Sequence, residues 1–508
     1  MTAIAGITGT SAKREDLGKM LEKIMHRGRK EPDIHRVSDG FAGSVEMSES
    51  GRGEDTASPL VLLDGTLNNE RYGRTSDILY LKEQYINSGK EALSLLDGSF
   101  SCAIITGEET LLARDPVGAR PLIYGNGTDG TLYFASEAKA LCGFVDTVRE
   151  LPPGYCFSTK DGLSPFKPFV PNVPDFETPG EGAKILRELV VKAVEKSVTD
   201  KTAGVALSGG LDSSIILAAA QECTSRIEAF TVTIKDNPGD DFHYAELMAR
   251  KAGAPLHTYE LTDMDIVGII PDAVWFLESF DEDCIAGFVA NYYASRLASE
   301  FTDTVLVGEG ADELFGGYFR ELETIHDEKE KERIAQKLED IAYNTALRRL
   351  DRGWMANSVE YRVPFLDSAV VAFSKKIPLS LKIRQREGKN TPVEKWILRE
   401  AFRDMLPPEI IDRPKMRFAR GVGVDDLMDT AVQGKVTPEE CASVRESEGG
   451  IPFNSAKEVY FYKLFRKRFA SGYECLTARW DPGKIKQKAS QQHFTTVPTM
   501  QFFHSLSD

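Results

Sequence analysis

Three segments in the second half of the chain bring glycine together with charge. The first is Ser208-Gly209-Gly210-Leu211-Asp212-Ser213-Ser214, preceded by Val205, Ala206 and Leu207 and followed by the apolar run from Ile215 to Ala220. A strand-like run, two glycines and a helix-like run opening on Asp and Ser leave backbone N–H groups free to meet an anion at a helix N-terminus. No lysine follows the glycines, so the loop lacks a point charge for a terminal phosphate and reads as a pyrophosphate cradle. The second segment is Gly308-Glu309-Gly310-Ala311-Asp312-Glu313, after the apolar run that ends at Val307. Acids at a strand end opposite a phosphate loop would repel a nucleotide unless Mg²⁺ lay between them, which makes Asp212 and Asp312 the metal candidates. The third is Asp412-Arg413-Pro414-Lys415-Met416-Arg417, closed by Gly421-Val422-Gly423. Cations beside a glycine-bounded loop suit a phosphate whose charge grows in a transition state.

Strands alternating with helices must position these loops. The pattern predicts helices over 181–197, 213–222 and 244–252 between strands over 204–207, 227–234 and 304–307, hence a parallel sheet with its ligand at the strands' carboxyl ends. The first 160 residues differ: short β-like runs at 60–63, 100–105 and 132–135, with helices over 13–25 and 78–87. The first two of these runs meet a stop, at Asp64-Gly65 and Thr106-Gly107; all three together predict an α+β domain of packed antiparallel sheets. Pro165, Pro168, Pro171, Pro174 and Pro179 mark an extended connector between the two. The expected division is 1–163, a linker over 164–180, a nucleotide-binding domain over 181–480 and a polar, irregular tail over 481–508. Segment 326–340, dense in Glu and Lys at helical spacing, reads as a solvated helix face.

Bulk properties narrow the function classes. A chain of 508 residues holds two or three domains. Its formal net charge of −16 argues against a nucleic-acid partner, which needs clustered Lys and Arg. The seven cysteines include no C-x-x-C pair, so neither a zinc knuckle nor a redox pair is expected. The start lacks a basic, apolar leader and no stretch reaches the roughly 20 apolar residues of a spanning helix. A cytoplasmic protein with no membrane partner is expected.

In combination the motifs resemble the asparagine synthetase family of class II amidotransferases. SGGLDSS, GEGADELFGGY (308–318), SVEYRVPFLD (358–367) and RPKMRFARGVG (413–423) stand in that family's order. The first half is similar to its glutaminase domain at MHRGRKEPD (25–33), LDGTLNN (63–69), LLDGSFSCAI (95–104), ARDPVGARPLIYG (113–125) and FASEAKAL (134–141). The resemblance implies an Ntn-hydrolase-like α+β sandwich, then an α/β PP-loop ATP pyrophosphatase domain with a parallel sheet and a helical C-terminal part. It implies that ATP adenylylates a carboxylate and that a nitrogen nucleophile attacks the acyl-adenylate. Pyrophosphate would lie in the Ser208–Ser214 loop (Ser208, Gly209, Gly210, Leu211, Asp212, Ser213, Ser214), with adenine near Leu207, Val232 and Gly308. Asp212 and Asp312 would carry Mg²⁺, Lys415 would neutralise charge on the α-phosphate and acyl oxygen, and Glu309 would manage protons. Substrates would be small molecules, and a homodimer is compatible with the sequence.

The chain departs from the family in its first half. Glutamine-using members begin Met-Cys-Gly-Ile, whereas here Thr2 and Ala3 follow the initiator. Either Thr2 acts as an N-terminal nucleophile activated by its own amine, or glutaminase activity is lost. The family's arginine for the glutamine carboxylate has no counterpart in 41–48, and its Asn-Gly-Glu has become Asp64-Gly65-Thr66, although Asp97-Gly98 remains. Loss is the expectation. β-Lactam-forming relatives carry a tyrosine where this chain has Glu309 and lack the RVPFLD pattern of 362–367. The leading expectation is therefore asparagine made from aspartate and free ammonia, with AMP as co-product. An amide or β-lactam synthetase acting on a secondary-metabolite or peptide carboxylate is the alternative, and a glutamine-dependent enzyme using Thr2 is the second.

Overall fold

The structure is a computed structural model that describes residues 2–47, 58–69, 76–198, 202–323, 325–385, 392–415, 421–448 and 451–477. The expected tail over 481–508, with Met416 and Arg417, lies outside the described residues, as does the side chain of Thr2.

The first half builds two antiparallel sheets. Strands β1 (Thr2–Thr8), β2 (Asp33–Val37), β3 (Gly40–Glu46), β4 (Leu60–Leu67), β5 (Gly98–Ile105) and β6 (Thr110–Arg114) are followed by β7 (Ile123–Asn126), β8 (Leu132–Ala135), β9 (Arg149–Glu150), β10 (Tyr155–Ser158) and β11 (Gly162–Pro165). They form the orders β2-β3-β1-β8-β7-β9 and β11-β10-β6-β5-β4. Ile4, Ala42, Tyr124 and Phe134 of one sheet pack against Leu62, Ala103, Ile105 and Leu112 of the other. The alternate residues Val61 and Leu63 face a second cluster containing Leu81 of helix Asp77–Ser88. The unbroken run Leu-Val-Leu-Leu is thus buried on both faces.

Two local expectations are corrected. Strand β4 does not stop at Asp64-Gly65 but continues to Leu67, with Asp64 paired to Ser101. Gly65 has φ +120°, and a Cβ there would lie 2.0 Å from the Ser99 carbonyl oxygen, so the glycine serves a close strand approach and not a turn. The helix expected over 13–25 covers only Arg14–Glu22, and Met25–Arg27 forms a separate 3₁₀ turn. Within the proline-rich stretch, Pro179 is the first residue of helix Pro179–Ser197, where its missing N–H costs nothing, and Thr178 caps it by accepting from the Glu181 amide at 3.2 Å.

The second half carries a parallel sheet of β12 (Thr202–Ala206), β13 (Arg226–Ile234), β14 (Leu256–Leu261), β15 (Thr304–Leu306) and β16 (Glu360–Arg362), in the order β14-β13-β12-β15-β16. The order reverses at β12, whose neighbours are β13 and β15. A ligand crevice therefore opens beyond the carboxyl ends of β12 and β15. One apolar cluster runs from Ala3, Leu17 and Ile24 through Leu186 and Val205 to Phe461, so the two halves share a core. Among the described residues no helix is long and apolar enough to cross a membrane.

Candidate active site

The loop after β12 turns sharply because Gly209 has φ +74°; a Cβ there would lie 2.3 Å from the Asp241 carbonyl oxygen. Gly210 then caps helix Leu211–Cys223. Within the loop, the Ser213 hydroxyl accepts from the Ser208 amide at 3.2 Å and lies 3.0 Å from the Ser208 hydroxyl. Arg413 holds the turn from outside: its Nη1 donates to the Gly209 carbonyl at 2.7 Å, it pairs with Asp241, and its guanidinium lies 4.0 Å from the centre of the Tyr244 ring.

The loop after β15 stands beside it. Glu313, on helix Ala311–Phe315, accepts from the Gly310 amide at 3.1 Å and from the Tyr318 hydroxyl at 2.5 Å. Lys395 lies between the two loops, its Nζ 2.6 Å from Asp212 Oδ2 and 2.5 Å from Asp312 Oδ1. Lys415 pairs with Asp312 as well. The acids therefore meet cations of the chain itself, a solution the sequence reading, which looked only to Mg²⁺, did not foresee. Burial raises a carboxyl, but Lys395 and Lys415 hold Asp312 down at about 2. The same acids overcome the desolvation of Lys415 and raise its ammonium above the ordinary lysine range. Asp212 Oδ1 is buried without a hydrogen-bond partner among the described residues, an open oxygen of the kind Mg²⁺ takes.

Leu207, Ser208, Gly210, Leu211, Asp212, Ser213, Val232, Gly308, Glu309, Asp312 and Lys415 all line one cleft of about 690 Å³. Gly209 and Ser214 do not; they shape the loop from behind, Ser214 being fully buried. Lys395 was missed because no glycine or motif marks it, and its left-handed backbone, φ +54°, is a tertiary feature. The far wall of the cleft was missed too. Arg349, on helix Ala346–Met355, donates to Asp283 Oδ2 at 2.9 Å. Its stem crosses Gly287, where a Cβ would lie 2.5 Å from Arg349 Cδ. Asp283 and Gly287 are one turn apart on helix Glu282–Ala298. Glu309 lies between this wall and the phosphate loop. Burial pushes its carboxyl up to about 7; Arg349 opposes the shift, and Glu313 and Asp212 add to it.

In the first half, Asp64 is engaged elsewhere. It accepts from Arg27 Nη2 at 3.1 Å and from the Ser136 hydroxyl at 2.8 Å. Arg27 also donates to Glu137 at 2.9 Å and to both oxygens of Asp351, at 2.7 and 3.1 Å. Arg352 joins Asp351 at 2.6 Å to Glu278 at 2.9 Å, Lys139 pairs with Glu137 and Glu278, and Arg120 lies 3.8 Å from Asp351. Four cations and four carboxylates thus form one network, with no side chain more than 1% exposed. Its first-half members are Arg27, Asp64, Arg120, Glu137 and Lys139. The backbone of Thr2 pairs with Glu46 of β3, and β3 carries the buried residues Ser44 and Glu46. Asp97 stands beyond the Leu67–Gly98 pair, its carboxyl raised by burial and by Asp367.

The family model for asparagine synthase matches residues 185–339 and 321–480, and that for the glutamine amidotransferase domain matches 62–154. A glutamine-hydrolysing asparagine synthetase of Zea mays is 27% identical over 94% of this chain and 88% of that protein. Glutamine-hydrolysing asparagine synthetase 2 of Lotus japonicus is 29% identical over 92% and 86%. A solved glutamine phosphoribosylpyrophosphate amidotransferase from B. subtilis aligns at 17% identity with a TM-score of 0.28, over 50% of this chain and 65% of that one, a likeness too slight to carry weight.

Proposed function

The chain belongs to the asparagine synthase family, and on that premise we propose that this ATP-dependent carbon–nitrogen ligase makes asparagine from aspartate and free ammonia, releasing AMP and pyrophosphate. An oxygen of the aspartate side chain attacks the α-phosphorus of ATP, and the bond to the bridging oxygen breaks as pyrophosphate leaves into the Ser208–Ser214 loop. Ammonia then attacks the acyl carbon; the tetrahedral intermediate loses a proton to Glu309 and expels AMP.

Each residue has a task its surroundings support. The loop's backbone and hydroxyl donors suit pyrophosphate oxygens. Lys415, kept charged by Asp312, meets negative charge as it grows on the α-phosphate and acyl oxygen. A carboxyl near 7 can accept a proton from the attacking amine and give it up again at neutral pH. Asp212 and Asp312 would hold Mg²⁺ through their carboxylate oxygens, and the metal would supply charge neutralisation of the nucleotide. Asp283 and Arg349, one acid and one base, offer a small amino acid a partner for each of its charged ends.

The single observation that carries free ammonia as the nitrogen source is the engagement of Asp64 with Arg27. The resemblance puts Asp64 in place of the asparagine that stabilises a glutamine-derived oxyanion in the family, and this side chain is fully buried and bound into an ion network. A carboxylate would repel an oxyanion. The test is to incubate the chain with Mg-ATP and aspartate, add ammonium or glutamine, and follow asparagine, AMP and pyrophosphate. Ammonium should sustain turnover and glutamine should not. Pyrophosphate release only with another carboxylate would replace the acceptor, and glutamine-driven turnover abolished by Thr2→Ala would restore the glutaminase.

A further inference from the structure

The interface network touches the cleft through two elements. Helix Ala346–Met355 carries Asp351 into the network and Arg349 into the cleft, two residues apart and so on opposite sides of one rigid rod. Strand β16 is the second. The Tyr361 hydroxyl donates to the Ala119 carbonyl at 2.6 Å and lies 3.2 Å from Asp351, and the Arg120 guanidinium covers its ring at 4.0 Å. Ser358, in the left-handed region at φ +53°, donates to the carbonyls of His26 and Gly28 at 2.8 and 3.0 Å. β16 pairs with β15, and the Val307 amide donates to the Arg362 carbonyl at 3.0 Å, two residues before Glu309. The conspicuous Ser-Val-Glu-Tyr segment, assigned no task in the chemistry, is therefore the dock for the first half.

We infer that the first half, without supplying nitrogen, is a positioning device for the synthetase site, and that Asp351 is its central positioning residue. By holding Asp351 from Arg27, Arg120 and Arg352, the network fixes the rod that sets Arg349 against Asp283 and the strand beside the one that delivers Glu309. The phosphate loop follows β12, with β15 between it and β16, so it stands one strand farther from this dock. The consequence is a split: loosening the dock displaces the groups that act on the acceptor and the attacking amine more than it disturbs nucleotide binding.

This inference rests on the proposed function for its choice of substrates. The experiment compares wild type with Asp351→Asn, which keeps shape and removes charge, and with the charge-balanced pair Arg27→Met and Asp351→Met, which fills the same space with apolar groups and guards against simple misfolding. Each is assayed with ammonium and aspartate, per folded chain, for kcat and for the KM of ATP and of aspartate. Both variants should lose at least about tenfold in kcat, with aspartate KM raised and ATP KM within about twofold, because small displacements of reacting groups cost rate steeply. A folded variant of either kind with wild-type kcat, or one whose ATP and aspartate KM rise together, overturns the inference. If wild type makes no asparagine, the aspartate reading fails by itself, and the same comparison run on pyrophosphate release with the carboxylate it does accept still decides the positioning role.

Discussion

Glu309, Lys415 and Lys395 show how one cleft sets three charged groups to different uses. The Glu309 carboxyl is raised to about 7 mainly by burial, so if it takes the proton as proposed, amide formation should climb as pH rises through about 7. Glu309→Gln should flatten that limb and leave the slower rise from deprotonation of ammonium, which a pH profile of kcat separates. The same shift has a stability sign: a carboxyl raised in the folded state favours folding only at low pH, and its contribution is lost as pH rises through about 7. Wild type should therefore lose ground to Glu309→Gln in melting temperature across that range. In the proposed mechanism Lys415 meets charge that appears in the transition state, so Lys415→Ala should cut kcat by about 10²–10³-fold, with ATP affinity, read by equilibrium dialysis, changed far less. Equal loss of both would remove it from that role. Lys395 is 2% exposed and bridges Asp212 and Asp312. Lys395→Met should leave Asp212 without its ion partner while Asp312 keeps Lys415, a loss at or below the low end of the about 3–5 kcal/mol of a broken buried pair. Added Mg²⁺ should then raise the melting temperature of the variant more than that of wild type, because the metal can replace the positive charge that Lys395 supplied.

At the scale of elements, glycines decide where backbones meet. Gly209 is held at φ +74° with backbone 2.3 Å from any added Cβ. Gly209→Ala must move the phosphate loop, and ATP binding should fall sharply while the melting temperature falls modestly; retention of wild-type ATP affinity would show that the loop does not hold the nucleotide. The sequence made this loop readable because its meaning is local: an apolar run, two glycines and a capped helix are spelled in consecutive residues. The GEGADE loop was readable for the same reason. Strand β16 was not, since three residues, Glu360–Arg362, have no period of their own and are strand only because β15 offers an edge. Gly65 was misread as a stop because Asp-Gly is a turn signal, and its real cause, the Ser99 carbonyl across the sheet, is 34 residues away in the chain. Lys395 and Arg349 carried no signal, for their partners come from distant segments.

At the scale of the whole molecule, the two halves behave as one body, because a common core and a buried ion network join them. That junction explains why restoring a family-typical residue should do harm. Asp64 stands where relatives of the resembling family have asparagine, yet here its charge balances Arg27 within a set of four cations and four carboxylates. Burial raises its carboxyl, and Arg27 and Arg120 oppose that rise. Asp64→Asn preserves the shape and removes the charge, leaving the buried network one positive charge in excess. Breaking a buried pair from one side costs about 3–5 kcal/mol; Arg27 keeps Glu137 and Asp351, so the loss should fall at or below the low end of that range. Thermal unfolding should shift downward as a single transition, because both halves lean on the same network. Glutamate release from glutamine should remain at background, since Asp64→Asn brings back neither the N-terminal cysteine nor an arginine in 41–48 for the substrate carboxylate. A variant that is more stable than wild type, or that hydrolyses glutamine, would mean that Asp64 is a replaceable residue of a dormant glutaminase and not a member of the joint between the halves.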